Sequence, residues 1–520
     1  MATLNSYLQN VAKFTWLNQG VLFLCFFASV VSFFLWAYLQ FSNQQTNKKQ
    51  SIKLYTLFAN ASNIIFAAIT LLAFVVYLLK IIYCSNITQN NVFGGFDESF
   101  GIQHSSSFVT NFLSFVLSLI LLYYFAITNF VLQKSTNAED KSDNVFSNAL
   151  IFAICGSFFA IISTNDIFNL YVFIEVSSIC LYSSAFLKNN NKSTSAGLDY
   201  LIFGSLASCL IIFAIIVIYY LTGQLNIDKI ATQLKQIQNE GYKNQSKILL
   251  LQASFWIFTI ACFIKLATVP FFKWAINFYT KTNLIFTSFA ASVVNKIYLY
   301  ILFCVVFKIY FSTGGKISND FANYTALYLA IFIFTFSIFA YFESNILRLI
   351  AISSIINTCY IIIASIFCGV KSSPLIILTF GDLVFKLLIF LILQVILQSC
   401  NKNIDTENNL QLSLAISNSS AKIKTLFVLC FLVIASLPPF PTFFAKIDIM
   451  LALLKQDKYL IFILLTAANV LSIFYFFKII IAVIFLNKTS NEVNLNKTNK
   501  FLFSIVMSLI VCYFAFSLLI

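Results

Sequence analysis

Apolar runs of about 20 residues follow one another along almost the whole chain, separated by short polar breaks. A bilayer hydrocarbon core is about 30 Å thick, so a helix needs about 20 mainly apolar residues to cross it. The runs therefore predict an all-α polytopic membrane protein. Fourteen spans can be marked, at 14–40, 55–83, 107–133, 147–164, 167–187, 198–221, 249–279, 284–312, 322–342, 346–368, 373–399, 423–454, 459–486 and 501–520. An even number places both termini on one side. Loops after odd-numbered spans carry most of the loop lysines, among them Lys48, Lys134, Lys188, Lys281, Lys402 and Lys488. By the positive-inside tendency those loops face the matrix or cytoplasm, and both termini face the outer compartment.

Composition excludes other classes. With 60% hydrophobic and 10% charged residues, the 520-residue chain is too apolar for a soluble enzyme or a disordered protein. The net charge of +14 lies mostly in short polar breaks and reports topology, not nucleic-acid binding. The twelve cysteines form no C-x-x-C pair and read as small buried hydrophobes. The single histidine, His104, falls in a polar loop, so the chain offers no haem, iron–sulfur or zinc ligand set and is expected to carry no redox centre.

Charges inside the spans are the informative residues. On the insertion scale each costs about 2.5–3.5 kcal/mol at mid-bilayer, so it needs a partner or a wet cavity. Glu175, Lys265, Lys296 and Lys446 sit deep within the fifth, seventh, eighth and twelfth spans. Asp382 and Lys386 are spaced i, i+4 on one helix face, either as a structural pair or as relay members. Lys80, Lys308 and Lys478 lie near span ends and are expected to snorkel, and Lys273 and Asp448 to be solvated.

Four of the five prolines lie beside these charges: Pro270 after Lys265, and Pro438, Pro439 and Pro441 before Lys446. Proline in a spanning helix frees backbone groups, which are tolerated at depth only where they face protein or water. Both broken helices point to a hydrated path, and Ala267–Thr268–Val269–Pro270–Phe271 and Ala435–Ser436–Leu437–Pro438–Pro439–Phe440 look like copies of one element in two repeats. The longest polar loop, 222–246, places Ile230, Leu234 and Ile237 at helical spacing, which fits an interfacial helix or a plain surface loop.

Asn165–Asp166–Ile167 through Glu175 to Leu181–Tyr182, followed by Phe263–Ile264–Lys265–Leu266–Ala267–Thr268–Val269–Pro270–Phe271, resembles the antiporter-like proton-pumping subunits of NADH:ubiquinone oxidoreductase, respiratory complex I. The segment Leu347–Arg348–Leu349 to Ile355, and Ser436–Leu437–Pro438–Pro439–Phe440 with Phe444–Ala445–Lys446, resemble the subunit-2 branch, which has lysine in the twelfth span where the subunit-4 branch has glutamate. The resemblance covers residues 145–485.

It implies two inverted five-helix repeats, spans 4–8 and 9–13, with helices 7 and 12 broken. The resulting division is a three-helix segment at 1–145, repeats at 146–312 and 322–486, and a last helix at 487–520. It further implies that Glu175 and Lys265 form a charge pair, Lys296 is the central relay and Lys446 the far proton-loading or exit site. NADH, FMN, iron–sulfur clusters and ubiquinone then belong to partner subunits, and no cofactor or metal is expected on this chain. The implied partners are other membrane subunits, namely the antiporter-like subunit 4 and the small subunit 4L class, and membrane lipids such as cardiolipin, with no nucleic acid. The chain departs from the family pattern in two places: Asp199 stands where lysine is usual, and Asn357 where many members have histidine. The usage of Phe, Ile, Asn, Lys and Tyr, with Arg348 the one arginine, resembles translation from an AT-rich genome such as a mitochondrial one, which implies the mitochondrial inner membrane. Competing readings are a cation/proton antiporter subunit, the paralogous subunit 4, and a scaffold with vestigial charges.

Overall fold

The structure is a computed structural model. It describes residues 16–43, 138–188, 190–239, 245–310, 316–369, 372–399 and 421–485, with short pieces within 68–77, at 89–92 and 103–106, and residues 114, 416, 510, 513 and 514. Expected spans 55–83, 107–133 and 501–520 fall largely outside the described residues. Each of the others coincides with a helix or a broken helix. Among the described residues nine helices are long and apolar enough to cross a membrane, with shorter apolar helices at Phe23–Ala37 and Ile423–Ile434. The chain forms two compact units, Met1–Leu187 with Ile211–Ile237, and Lys188–Leu210 with Gln238–Ile520.

In the first unit α1 (Trp16–Asn43) packs along α2 (Ala138–Ser163). Trp36 and Phe146 bring ring centroids to 4.6 Å. A Cβ on Gly156 would stand 3.2 Å from Cys25 Cβ, so glycine is what lets the two helices approach this closely. α3 (Ile167–Ser184) begins at Asp166, whose side chain accepts from Asn169 N at 2.8 Å as an N-cap.

A strand pair, β1 (Gln89–Val92) and β2 (Gln103–Ser106), is antiparallel with His104 opposite Asn91. This short hairpin lies in the polar stretch between the second and third expected spans, so the helical fold class stands and His104 is in the loop where the sequence placed it.

α4 (Asn191–Thr222) leads to α5 (Ile227–Asn239), which settles the open reading of loop 222–246 in favour of a helix. Ile230 and Leu234 are fully buried on one face. The start of α5 is tied to the start of α3, because Ile227 N donates to Asn165 O (2.9 Å), Ile167 N to Leu225 O (3.0 Å), and Asn165 Nδ2 to Asp228 Oδ2 (2.7 Å).

In the second unit α6 (Gln245–Lys265), α7 (Lys273–Lys281) and α8 (Leu284–Phe289) are followed by a π-helical turn, Ala290–Val294, then α9 (Asn295–Ile301) and a second π segment, Leu302–Tyr310. α10 (Lys316–Phe342), α11 (Ile346–Phe367), α12 (Ser373–Ser399), α13 (Ala421–Ile434), α14 (Pro441–Lys455) and α15 (Tyr459–Phe485) complete it. α8, α9, α11 and α12 are mostly buried and form its centre, whereas α10 and α15 pack together and leave Phe339, Phe342, Ile463 and Phe474 exposed. An apolar outer surface of this kind suits lipid and would be an aggregation liability in water.

Candidate functional site

Both broken helices end in the same way. After Lys265 the backbone turns left-handed at Ala267 (φ 55°), Ala267 N donates to Ile264 O (3.1 Å) and Thr268 N reaches back to Phe263 O (3.0 Å). After Ile434 the turn is at Ser436 (φ 54°), Ser436 N donates to Val433 O (3.0 Å) and Leu437 N to Leu432 O (3.3 Å). This is a helix terminus of the Schellman type, with alanine and serine where glycine is usual. The bonds Val269–Pro270 and Pro438–Pro439 are both cis.

Side chains supply further donors to the carbonyls at the breaks. Trp274 Nε1 donates to Ile264 O at 3.0 Å, Thr442 Oγ1 to Val433 O at 2.9 Å and Tyr328 Oη to Val269 O at 2.7 Å. The irregular backbone is thus held by protein, as it must be at membrane depth. Pro441 occupies the first turn of α14, where its missing N–H costs nothing.

Between the breaks, Asp382 on α12 is 5% exposed and lies between two amines. Its Oδ2 accepts from Lys296 Nζ and its Oδ1 from Lys386 Nζ, one turn along the same helix. Asn357 Nδ2 donates to the same Oδ1 at 2.9 Å. Lys386 Nζ also donates to Ser354 Oγ (3.0 Å), which Asn295 Nδ2 approaches at 3.4 Å while lying 3.2 Å from Tyr279 Oη. The π turn Ala290–Val294 directly precedes Asn295 and Lys296. A π turn re-phases the helix that follows it and is common at functional sites, and here Lys296 follows it and meets α12. With both amines charged the cluster carries one excess positive charge. It can release a proton and become neutral, or bind one at the cost of burying charge.

Lys446 on α14 is 7% exposed, with Nζ 5.0 Å from the centroid of Tyr360, whose hydroxyl lies 2.8 Å from both Leu465 O and Asn469 Oδ1. A cavity of about 20 Å³, lined in part by Asn357, Tyr360, Gly381, Asp382, Thr442 and Lys446, joins the cluster to Lys446. One water needs roughly 10–15 Å³ by the same measure, so the space has room for a water.

The structure therefore brings Lys296, Asp382, Lys386 and Lys446 into one neighbourhood. Lys265 is 2% exposed at the end of α6, with Nζ 5.8 Å from the ring centroid of Tyr298, the second residue after Lys296 on α9. Glu175 is half-buried on α3 in the first unit. Asp199 is half-buried, and its Oδ2 accepts from Asn277 Nδ2 at 2.6 Å, so this carboxylate meets a neutral amide. Pro270, Pro438 and Pro439 sit at the two breaks. Lys273 and Asp448 are exposed, and Lys478 is exposed with its amine near Tyr341 O and Glu343 O at the end of α10.

Sequence reasoning gave no role to Ser354 or Asn295 and discounted Asn357. Their signal was present as polar side chains interrupting the apolar runs of α9 and α11. Nothing in the order of residues said that Asn357 meets Asp382 or that Ser354 meets Lys386.

These features define a class: a polytopic helical membrane protein with two matching broken helices and a buried cluster of excess positive charge. Residues 164–472 match the family of NADH:quinone oxidoreductase and Mrp antiporter transmembrane proteins, and the chain belongs to that family. NADH-quinone oxidoreductase subunit N of Helicobacter hepaticus is 26% identical over 382 residues, covering 72% of this chain and 73% of that protein. NADH-ubiquinone oxidoreductase chain 2 of Dictyostelium discoideum is 26% identical over 401 residues, covering 75% and 78%. Among solved structures, a chain of the membrane-bound sulfane sulfur reductase, an archaeal respiratory membrane complex, shares the fold with a TM-score of 0.75 at 18% identity, covering 95% of this chain and 94% of that one.

Proposed function

We propose that this chain is a proton-translocating membrane subunit of mitochondrial NADH:ubiquinone oxidoreductase, assembled in the inner membrane with other antiporter-like subunits. The observation that carries the reading is the Lys296–Asp382–Lys386 cluster, with its excess charge and its cavity leading to Lys446. The two relatives, each called an oxidoreductase subunit, supply the host complex. Electron transfer belongs to partner subunits that hold NADH, FMN, iron–sulfur clusters and ubiquinone.

In this reading, opening a Glu175–Lys265 pair lowers the proton affinity of Lys265, and a proton passes by water and side chains to Lys296 and then Lys446. Against a potential of about 150 mV, one charge costs roughly 3.5 kcal/mol at 2.3 kcal/mol per 100 mV. At 1.36 kcal/mol per pKa unit this asks for a swing of about 2.5 units, within the 3–5 units that burial and a neighbouring charge impose on an amine. A buried carboxylate shared by two lysines is a means of making that swing, since moving Asp382 toward one amine releases the other.

A native-gel separation of mildly solubilised membranes, stained for NADH oxidation and probed for this polypeptide by mass spectrometry, tests the host. Co-migration with a large NADH-oxidising band is expected. Migration in a smaller assembly without that activity would replace this reading by the antiporter reading that the family also contains. In the assembled complex, Lys296→Ala is expected to lower the protons moved per NADH oxidised, and an unchanged ratio would remove the relay.

A further inference from the structure

We propose that the hydroxyl of Tyr513 holds the water through which a proton passes from the Lys296–Asp382–Lys386 cluster to Lys446, which makes Tyr513 a positioning residue of the relay. Tyr513 lies in the last expected span and is 1% exposed. Its hydroxyl is buried with no hydrogen-bond partner among the described residues. Buried hydroxyls rarely go unpartnered, and those that do mark a place for water or a functional constraint.

The surroundings say where that place is. The Tyr513 ring is held by Phe380, Phe385 and Phe514, with centroids at 6.0, 5.2 and 5.7 Å. These contacts bring the hydroxyl against Gly381, the neighbour of Asp382 and itself part of the cavity wall. A Cβ on residue 381 would stand 3.1 Å from the hydroxyl and 3.0 Å from Thr442 Cγ2. A side chain at 381 would press on both the hydroxyl and Thr442, so glycine is what lets the hydroxyl come this close to the cavity wall. Thr442 lines the cavity too, but its own hydroxyl is committed to Val433 O.

A buried water is held by two to four polar groups. Asp382, Asn357 and Lys446 line the cavity, and Tyr513 adds a neutral group that donates or accepts as the water turns. The water takes a proton released by the cluster and gives another to the neutral amine of Lys446, so Tyr513 is a phenol before and after the transfer.

The inference rests on the proton-transfer function proposed above, and its test separates the two. In sealed vesicles carrying the assembled complex, protons moved per NADH oxidised, and the solvent deuterium isotope effect on that movement, are measured for wild type, Tyr513→Phe, Gly381→Ala and Lys446→Ala. Phenylalanine keeps the three ring contacts and removes the hydroxyl. Alanine at 381 keeps the hydroxyl and puts a methyl against it, so it serves also if Tyr513→Phe fails to assemble. Both are expected to lose as many protons per NADH as Lys446→Ala does, and to change the isotope effect on what remains, which a purely structural hydroxyl would leave alone. A wild-type ratio and isotope effect in either variant, alongside a lowered ratio in Lys446→Ala, would overturn the role of Tyr513 and leave the function standing. An unchanged ratio in Lys446→Ala would overturn both.

Discussion

The Asp382 carboxylate accepts from the Lys296 amine, 86 residues earlier in the chain, and so joins α12 to the helix that follows a π turn. Because the second carboxylate oxygen accepts from Lys386, a single buried anion serves two cations. Removing it leaves both amines without their counter-charge, which for a buried ion pair costs about 3–5 kcal/mol. Asp382→Asn is therefore expected to lower the thermal stability of the purified complex and to abolish this subunit's proton movement, while Asp382→Glu keeps most of both. A wild-type melting temperature for Asp382→Asn would show that the anion is not what makes the two lysines tolerable.

The left-handed residues at the two breaks make a second prediction. An L-residue in that conformation costs roughly 1–2 kcal/mol, part of which glycine gives back in unfolded-chain entropy. Ala267→Gly and Ser436→Gly are each expected to raise stability by up to about 1 kcal/mol, and Ala267→Val to lower it, as read by thermal unfolding in detergent. If glycine and valine acted alike, the turn at Ala267 would not have the geometry described.

At the start of α11, Asn345 accepts from Leu347 N (2.9 Å) and Arg348 N (3.2 Å). Losing such a cap costs about 1 kcal/mol. Asn345→Ala should lower stability by that amount and Asn345→Asp by much less, and hydrogen exchange at Leu347 and Arg348 should quicken only in the alanine variant. Equal exchange in both would rule out the cap.

Burial raises the Asp166 carboxyl above its usual value of 3.8, against the lowering effect of backbone donors from Asn169 and Phe168. The folded chain then binds this proton more tightly than the unfolded one, so the contribution to stability is greatest below 3.8 and is lost as pH rises through the raised value. Asp166→Asn keeps an acceptor for the cap and removes the titration. It is expected to flatten the stability-against-pH curve between 3.8 and the raised value, with no loss at neutral pH. A curve as steep as the wild type's would assign that dependence to other groups.

How much could be read beforehand varied with the range of the interaction. The spans at 346–368 and 373–399 were legible because crossing a bilayer demands a contiguous apolar run, and the structure has α11 and α12 there. Both breaks were legible because proline acts on its own helix. The Asp382–Lys386 pair was legible because i, i+4 residues share a helix face. The stripe of Ile230 and Leu234 was also visible, but the tie between Asn165 and Asp228 that holds the start of this helix to α3 joins residues 63 apart and was not.

By itself, then, the sequence determined the spanning runs and which of them carry charges, since hydropathy and helix periodicity act within one segment. Only the tertiary structure decided that Lys296 shares Asp382, that Asn357 and Ser354 complete the cluster, and that Tyr513 abuts Gly381. Lipid is as apolar as leucine, so hydrophobicity does not choose which face of a spanning helix meets its neighbour. That choice is made by close packing and by the demand that every buried charge find a partner.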